Sequence, residues 1–288
     1  MDGLGQGPLV TNKIFFSVME EKNMKEKLLL RCALVFAVLA ALAMPVSAGS
    51  FSEKFGAIKE SLKKEQKNED KSAKNSRASS KYKREQVDEA LWDLSVLDTA
   101  RDADYMDEIE KDVVLEMNMA RSNPKQYAEL YIEPRLKKFK GTVYGGVLQT
   151  HEGADVVNEC IRFMGSHESL PVLSPSEGLT HAAKDHADSQ SLTDQTGHTG
   201  TDGSDPFSRM KRYGLYAGTA GENISYGAKT AREIVVTLLI DDGVKSRGHR
   251  KNIMGKDFKT TGVGFAGAHK LYGCECVLDF ADNYIEKE

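Results

Sequence analysis

The sequence predicts an α+β domain in which helices precede strands. Apolar residues recur at helical spacing from Met106 to Ala120 and in later segments, whereas residues 262–266 and 274–281 are short apolar runs with glycines nearby. The chain has 288 residues, 40% of them hydrophobic, which suffices for one sizeable core. Because no internal repeat is visible and the helices come first, a layered α+β domain is favoured over βαβ repeats.

Local signals set the boundaries of the first predicted helices. The pattern that begins near Met106 stops at Asn123, because a residue before proline is pushed out of the helical region. We expect further helices at 125–131 and 154–164, the second with an apolar face.

Capping signals mark two more helices. In the fourth, Ser174 acts as the cap, Pro175 lies in the first turn and Glu177 completes a capping box. In the fifth, Thr230 and Glu233 form a similar box, and the helix stops at residues 241–243. A glycine-rich and aspartate-rich loop at 194–208 separates the two, and such loops often carry function.

The N-terminal residues are typical of an export signal. Basic residues precede an apolar run at 32–44, and Val46-Ser47-Ala48 supplies small residues for a signal peptidase. The run is shorter than the roughly 20 apolar residues that span a bilayer. We expect 24–48 to be a signal peptide cleaved near Ala48, and 1–23 to be a start-site artefact. The mature protein would then be secreted without a stable membrane anchor.

Residues 49–104 are predicted to be a charged, largely disordered linker, followed by the domain at 105–285. From residue 59 to 85, ten Lys/Arg face five Asp/Glu, whereas the chain from Gln86 onward carries about ten more acidic than basic residues. An acidic domain disfavours nucleic acid as a partner. The stretch 90–97 holds the single Trp92 and either docks as a helix or is an apolar linker end.

Three cysteines remain after the predicted signal peptide, at positions 160, 274 and 276. Two alternatives stay open. One of the C-terminal pair could bridge to Cys160, or all three could be buried or free thiols.

Four polar segments fall where loops or helix ends are predicted, at 197–199, 221–224, 239–242 and 246–253. In order, their fullest forms read His198-Thr-Gly-Thr-Asp-Gly-Ser, Gly221-Glu-Asn-Ile-Ser-Tyr-Gly and Asp241-Asp-Gly-Val-Lys-Ser-Arg-Gly-His-Arg-Lys-Asn-Ile. Together, behind the export signal, they resemble the CAP superfamily of cysteine-rich secretory, antigen-five and pathogenesis-related-one proteins, in its bacterial secreted form. The resemblance runs from about Tyr105 to Tyr284.

This resemblance implies a three-layer α-β-α sandwich of the CAP/SCP type with a cleft lined by two histidines and two acids. The histidines resemble His198 and His249, and the first acid resembles Glu222. The second is Asp241, with Asp242 as the alternative, since aspartate stands where many relatives have glutamate. Two imidazoles beside carboxylates suit Zn²⁺ or another divalent metal, weakly bound by His198 and His249.

An interpretation without a cleft is the alternative. Glu222 and Asn223 could stabilise a glycine turn, and the neighbours of His249 could satisfy backbone donors at the start of a helix. His181 and His186 point to different helix faces, so His186 is better explained as a core histidine.

Ser225 and the arginines at 247 and 250 are weaker candidates for catalysis or ligand binding. Ser225 lacks the glycine-flanked elbow of a hydrolase nucleophile. Arg247 and Arg250 either recognise an anion or form ion pairs.

Three functions fit this sequence. An extracellular binding or signalling module comes first, with a peptide, lipid or cell-envelope polymer as ligand. The alternatives are a metal-assisted hydrolase with Glu222 as general base, and a cell-envelope interaction protein. The sequence does not decide whether the protein is an enzyme. Sterol binding and toxin-like activity do not transfer, because the disulfides and the aromatic-rich signature of eukaryotic relatives are absent.

Overall fold

The computed structural model describes residues 82–287. Its helices are α1 (Leu94–Leu97), α2 (Glu108–Ser122), α3 (Pro124–Tyr127), α4 (Ala154–Ser166), α5 (Glu177–Ser191), α6 (Pro206–Tyr213), α7 (Ala231–Ile240) and α8 (Gly248–Ile253). A π-helical turn (Ala128–Ile132) and a 3-10 helix (Glu133–Lys138) follow α3. The strands are β1 (Phe139–Lys140), β2 (Val143–Tyr144), β3 (Leu148–Gln149), β4 (Ser174–Pro175), β5 (Gly214–Tyr216), β6 (Ala220–Tyr226), β7 (Thr260–Ala266), β8 (Glu275–Ala281) and β9 (Tyr284–Glu286).

A four-stranded sheet in the order β4-β7-β8-β6 forms the middle layer. β8 pairs antiparallel with both β6 and β7, so Glu222 and Gly262 lie opposite Asp279 on either side. β4 adds a short parallel edge to β7. Two smaller sheets, β1-β2-β3 and β5-β9, lie outside this layer.

Alternation along β8 shows the three layers. Cys276, Leu278 and Phe280 join the core cluster that α2 and α7 build on one face. Val277 and Ala281 pack in the clusters formed with α5 and α6 on the other face. Because successive side chains of a strand point to opposite faces, the sheet is covered by helices on both sides. The predicted α+β fold with an α-β-α arrangement is therefore confirmed.

Two glycines of β7 let α5 lie directly on the sheet. A Cβ at Gly262 would overlap the backbone of Leu179 and Thr180, and one at Gly264 would overlap the backbone of Ala183 and Lys184. Any side chain at these positions would push the helix away from the strand.

The structure corrects three sequence-based predictions. Ser174 and Pro175 form β4, and α5 is capped instead by Ser176, whose side chain accepts from Leu179 N. The helix predicted at 125–131 is α3 followed by the π-helical turn. Residues 221–224 belong to strand β6 and not to a loop or turn, because they pair with β8 along their whole length.

Residues 82–106 pack on the domain. Trp92 is 3% exposed and donates through Nε1 to Tyr131 Oη at 3.1 Å, while the Arg232 guanidinium lies 4.0 Å from the Tyr131 ring centre. The stretch around Trp92 thus takes the docked alternative, although the helix in it is the single turn α1.

The predicted signal peptide at 24–48, the residues 1–23 and the linker up to residue 81 lie outside the described residues. Among the residues that are described, no helix combines the length and apolar content needed to cross a membrane.

Candidate functional site

His198 and Glu222 form the first histidine–carboxylate pair. His198 follows the left-handed Gly197 in the loop after α5, and Glu222 lies on β6. The imidazole Nδ1 is 2.8 Å from Glu222 Oε1. The carboxylate is almost fully buried, at 1% exposure, whereas the imidazole is 53% exposed. A buried, fixed carboxylate therefore orients an imidazole that faces solvent.

A buried arginine on α6 holds this pair in place. Arg209 Nη2 donates to Glu222 Oε2 at 2.7 Å and to the carbonyl oxygen of His198 at 3.1 Å. Its Nη1 donates to the carbonyl oxygen of Ser204 at 2.8 Å. Both Glu222 oxygens are thus engaged, and one side chain ties the loop 198–204 to the sheet.

Two more buried carboxyls lie on the same face of β8. Asp279 stands opposite Glu222 on the neighbouring strand, and the oxygens of Glu275 have no hydrogen-bond partner among the described residues. Burial, followed by the charge of Glu222, raises the pKa of Asp279 well above its usual range. The same two causes raise the pKa of Glu275 to about 8. Burial therefore favours the neutral, protonated form of both side chains.

His249 and Asp241 form the second pair. Asp241 ends α7 with a left-handed backbone, φ 60°, and His249 lies in the first turn of α8. Asp241 Oδ1 is 2.7 Å from His249 Nδ1, and Oδ2 accepts from His249 N at 3.0 Å. The same carboxylate thus caps α8 and orients the imidazole, which is 24% exposed.

Strand β6 links the two pairs. Asn223, the neighbour of Glu222, donates through Nδ2 to the carbonyl oxygen of His249 at 3.0 Å. Asn252 Nδ2 donates in turn to Asn223 Oδ1 at 2.8 Å. The first turns of α8 are therefore fixed to the strand that carries Glu222.

The hydrogen bonds define the tautomer of both imidazoles. A carboxylate only accepts hydrogen bonds, so Nδ1 of each neutral ring carries the proton and Nε2 keeps its lone pair. This arrangement is common for metal-ligating histidines, whose second nitrogen donates to a carboxylate. Within residues 82–287, however, no group of three or more His, Cys, Asp or Glu side chains is arranged to hold a metal. Nε2 of each imidazole is the atom that could ligate a metal ion.

Asp242 does not contact either imidazole. It accepts at 2.8 Å from the backbone nitrogens of His151 and Glu152, so Asp241 is the acid beside His249.

Arg247 and Arg250 are engaged in ion pairs. Arg247 contacts Glu152 and Glu159, while Arg250 contacts Glu159.

The remaining candidates have structural positions. His186 is buried, with Nε2 2.9 Å from the carbonyl oxygen of Gly197, whereas His181 lies on the outer face of α5. Cys160, Cys274 and Cys276 are free and buried, so the alternative without a bridge holds for the described residues.

The sequence interpretation missed Arg209. The signal that could have found it is Asp205-Pro206, a capping residue followed by proline, which starts α6 within the range taken as loop. Asn223 and Asn252 lie in the polar segments 221–224 and 246–253. The hydrogen bond that joins them, and with it β6 and α8, depends on the fold.

A family model for the cysteine-rich secretory protein family, CAP, matches residues 154–280. This range contains both histidine–carboxylate pairs and the strands that position them. Residues 154–280 belong to the CAP family.

Two relatives were found for this CAP domain. The uncharacterized protein YkwD of Bacillus subtilis (strain 168) is 35% identical over 107 residues, which are 36% of this chain and 39% of YkwD. A crystal structure of an extracellular protein containing a SCP domain from Bacillus anthracis str. Ames is 22% identical, with a TM-score of 0.32. That match covers 40% of this chain and 35% of the other. The chain thus spans about two fifths of YkwD and about a third of the B. anthracis protein.

Proposed function

We propose that this protein is a secreted binding module whose CAP domain holds a divalent metal in a cleft between His198 and His249. Nε2 of each imidazole would bind the ion, and water would complete the coordination shell. Glu222 and Asp241 would orient the rings without binding the ion themselves. The bound ion would supply a positive charge for an extracellular ligand with oxygen donors, such as a peptide or a cell-envelope polymer.

The observation that carries this proposal is that His198 and His249 share one hydrogen-bonding pattern. Each imidazole uses Nδ1 on a nearly buried carboxylate, at 2.8 Å and 2.7 Å, which leaves Nε2 free. An imidazole with a purely structural role has no need of a fixed tautomer on a partly exposed ring. Secretion is supported by the export signal in the sequence.

The contacts of Glu222 favour binding over hydrolysis. A general base needs a free oxygen within hydrogen-bond reach of its water. Both Glu222 oxygens are already engaged, one by His198 and one by Arg209, and the side chain is 1% exposed. The metal-assisted hydrolase therefore ranks second.

Isothermal calorimetry with Zn²⁺ and Co²⁺ tests the proposal. We expect weak binding that His198→Ala and His249→Ala each abolish, with little change in the melting temperature because neither ring is buried in the core. Binding weakens on acidification, since the metal binds neutral imidazole. His181→Ala is the matched control, because His181 is exposed on α5, where it contacts Glu177 and the ring of Tyr213.

Metal binding that survives in the double variant His198→Ala/His249→Ala would overturn the site. If the single histidine variants failed to fold, the structural explanation of these rings would be favoured instead. Metal-dependent turnover of a peptide or ester, lost in Glu222→Gln, would place the hydrolase first.

A further inference from the structure

The β1-β2-β3 sheet carries an exposed apolar turn. Val147 is 90% exposed and its neighbour Leu148 is 58% exposed. They follow Gly145 and Gly146, whose backbones have φ of 60° and 79° and bring the chain round between β2 and β3. Two adjacent large apolar side chains on a protruding turn cost free energy in water, and such surfaces commonly mark an interaction site.

Basic residues surround this turn. From residue 134 to 151 the sequence contains four Lys or Arg and no Asp or Glu, in a chain that is strongly acidic from Gln86 onward. Lys137, Lys138 and Lys140 are exposed and form no ion pair within the described part of the chain. Arg135 is the exception, since it pairs with Glu233 at 2.9 Å.

Aromatic contacts hold the lysines and the turn on one small unit. Tyr144 pairs across the strands with both Phe139 and Leu148, and its ring centre is 5.1 Å from that of Phe139. Lys138 Nζ lies 5.8 Å from the Tyr144 ring centre. Gly145 N also donates to the carbonyl oxygen of Lys138 at 3.0 Å. The charges therefore lie within a few residues of the apolar turn.

We propose that this sheet docks the protein on a lipid bilayer that contains anionic phospholipid. Val147 and Leu148 would enter the headgroup region, and Lys137, Lys138 and Lys140 would contact the phosphates. The domain from Gln86 onward is acidic and repelled by such a surface, so the charges of this part of the chain favour an orientation with the sheet toward the membrane.

The apolar turn distinguishes a bilayer from an anionic polymer. Phosphate groups of a polymer would be satisfied by the lysines alone and offer no apolar phase for Val147. A bilayer offers both, because it has negative headgroups above an acyl region. The observations together favour the lipid surface.

A fluorescent probe at the turn tests the proposal in the mature chain from Gly49 to Glu288, which lacks the predicted signal peptide and Cys32. Val147→Cys would take an environment-sensitive fluorophore, because the other described cysteines are buried. Ile285→Cys on β9, 69% exposed, is the control position. We expect a blue shift from position 147, and none from 285, on vesicles of phosphatidylglycerol with phosphatidylcholine.

The lysines are tested in the same assay. The variant Lys137→Gln/Lys138→Gln/Lys140→Gln should raise the vesicle concentration for half-maximal shift about ten-fold or more. The control variant Lys256→Gln/Lys259→Gln/Lys270→Gln removes three exposed lysines elsewhere and should change it little.

Three results would overturn the proposal. The first is an unshifted probe at 147 while the chain sediments with the vesicles, which would indicate an anionic-surface contact without insertion. The second is an equal shift at 147 and 285, and the third is a shift that ignores the three lysines of the sheet. Failure of metal binding at His198 and His249 would leave this docking proposal unaffected.

Discussion

The two histidine–carboxylate pairs have similar distances but different construction. His249 and Asp241 are eight residues apart and meet through one loop between two helices. His198 and Glu222 are 24 residues apart, and they depend on Arg209 from a third element. Both carboxylates are 1% exposed. The difference is that Glu222 lies beside the buried guanidinium of Arg209 and opposite the buried Asp279. We expect changes around Glu222 to cost more, because they can leave a buried charge without its counter-ion.

The largest expected effect is that of Arg209→Met. Removing the guanidinium leaves the Glu222 carboxylate buried without its cation, and breaking such a pair costs about 3–5 kcal/mol. We expect the free energy of unfolding, measured in urea, to fall by that amount. Adding Glu222→Gln should recover part of the loss, because the buried charge is then gone.

Arg212→Met is the control for that substitution. Arg212 is 39% exposed and pairs with Asp185 and Asp202, so its loss should cost less than about 1 kcal/mol. Equal losses of unfolding free energy in Arg209→Met and Arg212→Met would show that the buried Arg209–Glu222 pair contributes no more than an exposed one.

A pH dependence should follow from the buried carboxyl of Glu275, which lies near the His198–Glu222 pair. The folded pKa of Glu275 is about 8, above its ordinary 4.5, so the folded state binds the proton more tightly. Stability from this group is complete below about pH 4.5 and is lost as pH rises through about 8. Glu275→Gln should therefore match the wild type at pH 5 and exceed it at pH 9.

At pH 9 the free energy of unfolding of Glu275→Gln should exceed that of the wild type by at most about 5 kcal/mol. About 2–3 kcal/mol is expected in urea titrations, because water penetration and relaxation lower the cost of burying a charge. Glu89→Gln, at an exposed position, should show no such gain. A constant difference between Glu275→Gln and wild type from pH 5 to 9 would contradict the assigned pKa.

The smallest effect is expected at the local pair. Asp241→Ala removes the acceptor for His249 N and places alanine in a left-handed backbone, which together cost about 1–2 kcal/mol. Asp241→Asn keeps a cap oxygen and tolerates the left-handed backbone, so it should cost less than half of that. Urea unfolding measures both, and a loss from Asp241→Ala as large as that from Arg209→Met would remove the contrast between the pairs.

Much of the local architecture was predictable. The end of α2 at the residue before Pro124, the cap of α7 at Thr230 and the presence of strands β7 and β8 all follow from short-range signals. The helix cap at α5 was wrong by two residues. Ser174 and Ser176 offer similar hydroxyls, and the pairing of β4 with β7 decides between them.

The sequence by itself determined the types of the main helices and of β7 and β8, and the acidic character of the domain, and it singled out His198, Glu222, Asp241 and His249 as candidates. The tertiary structure decided which acid serves His249, since Asp241 and Asp242 are adjacent and chemically alike. It also decided that Glu222 lies on a strand and that Arg209 holds it. These contacts depend on which distant segments of the chain pair with each other. Local propensity and side-chain spacing do not specify that pairing.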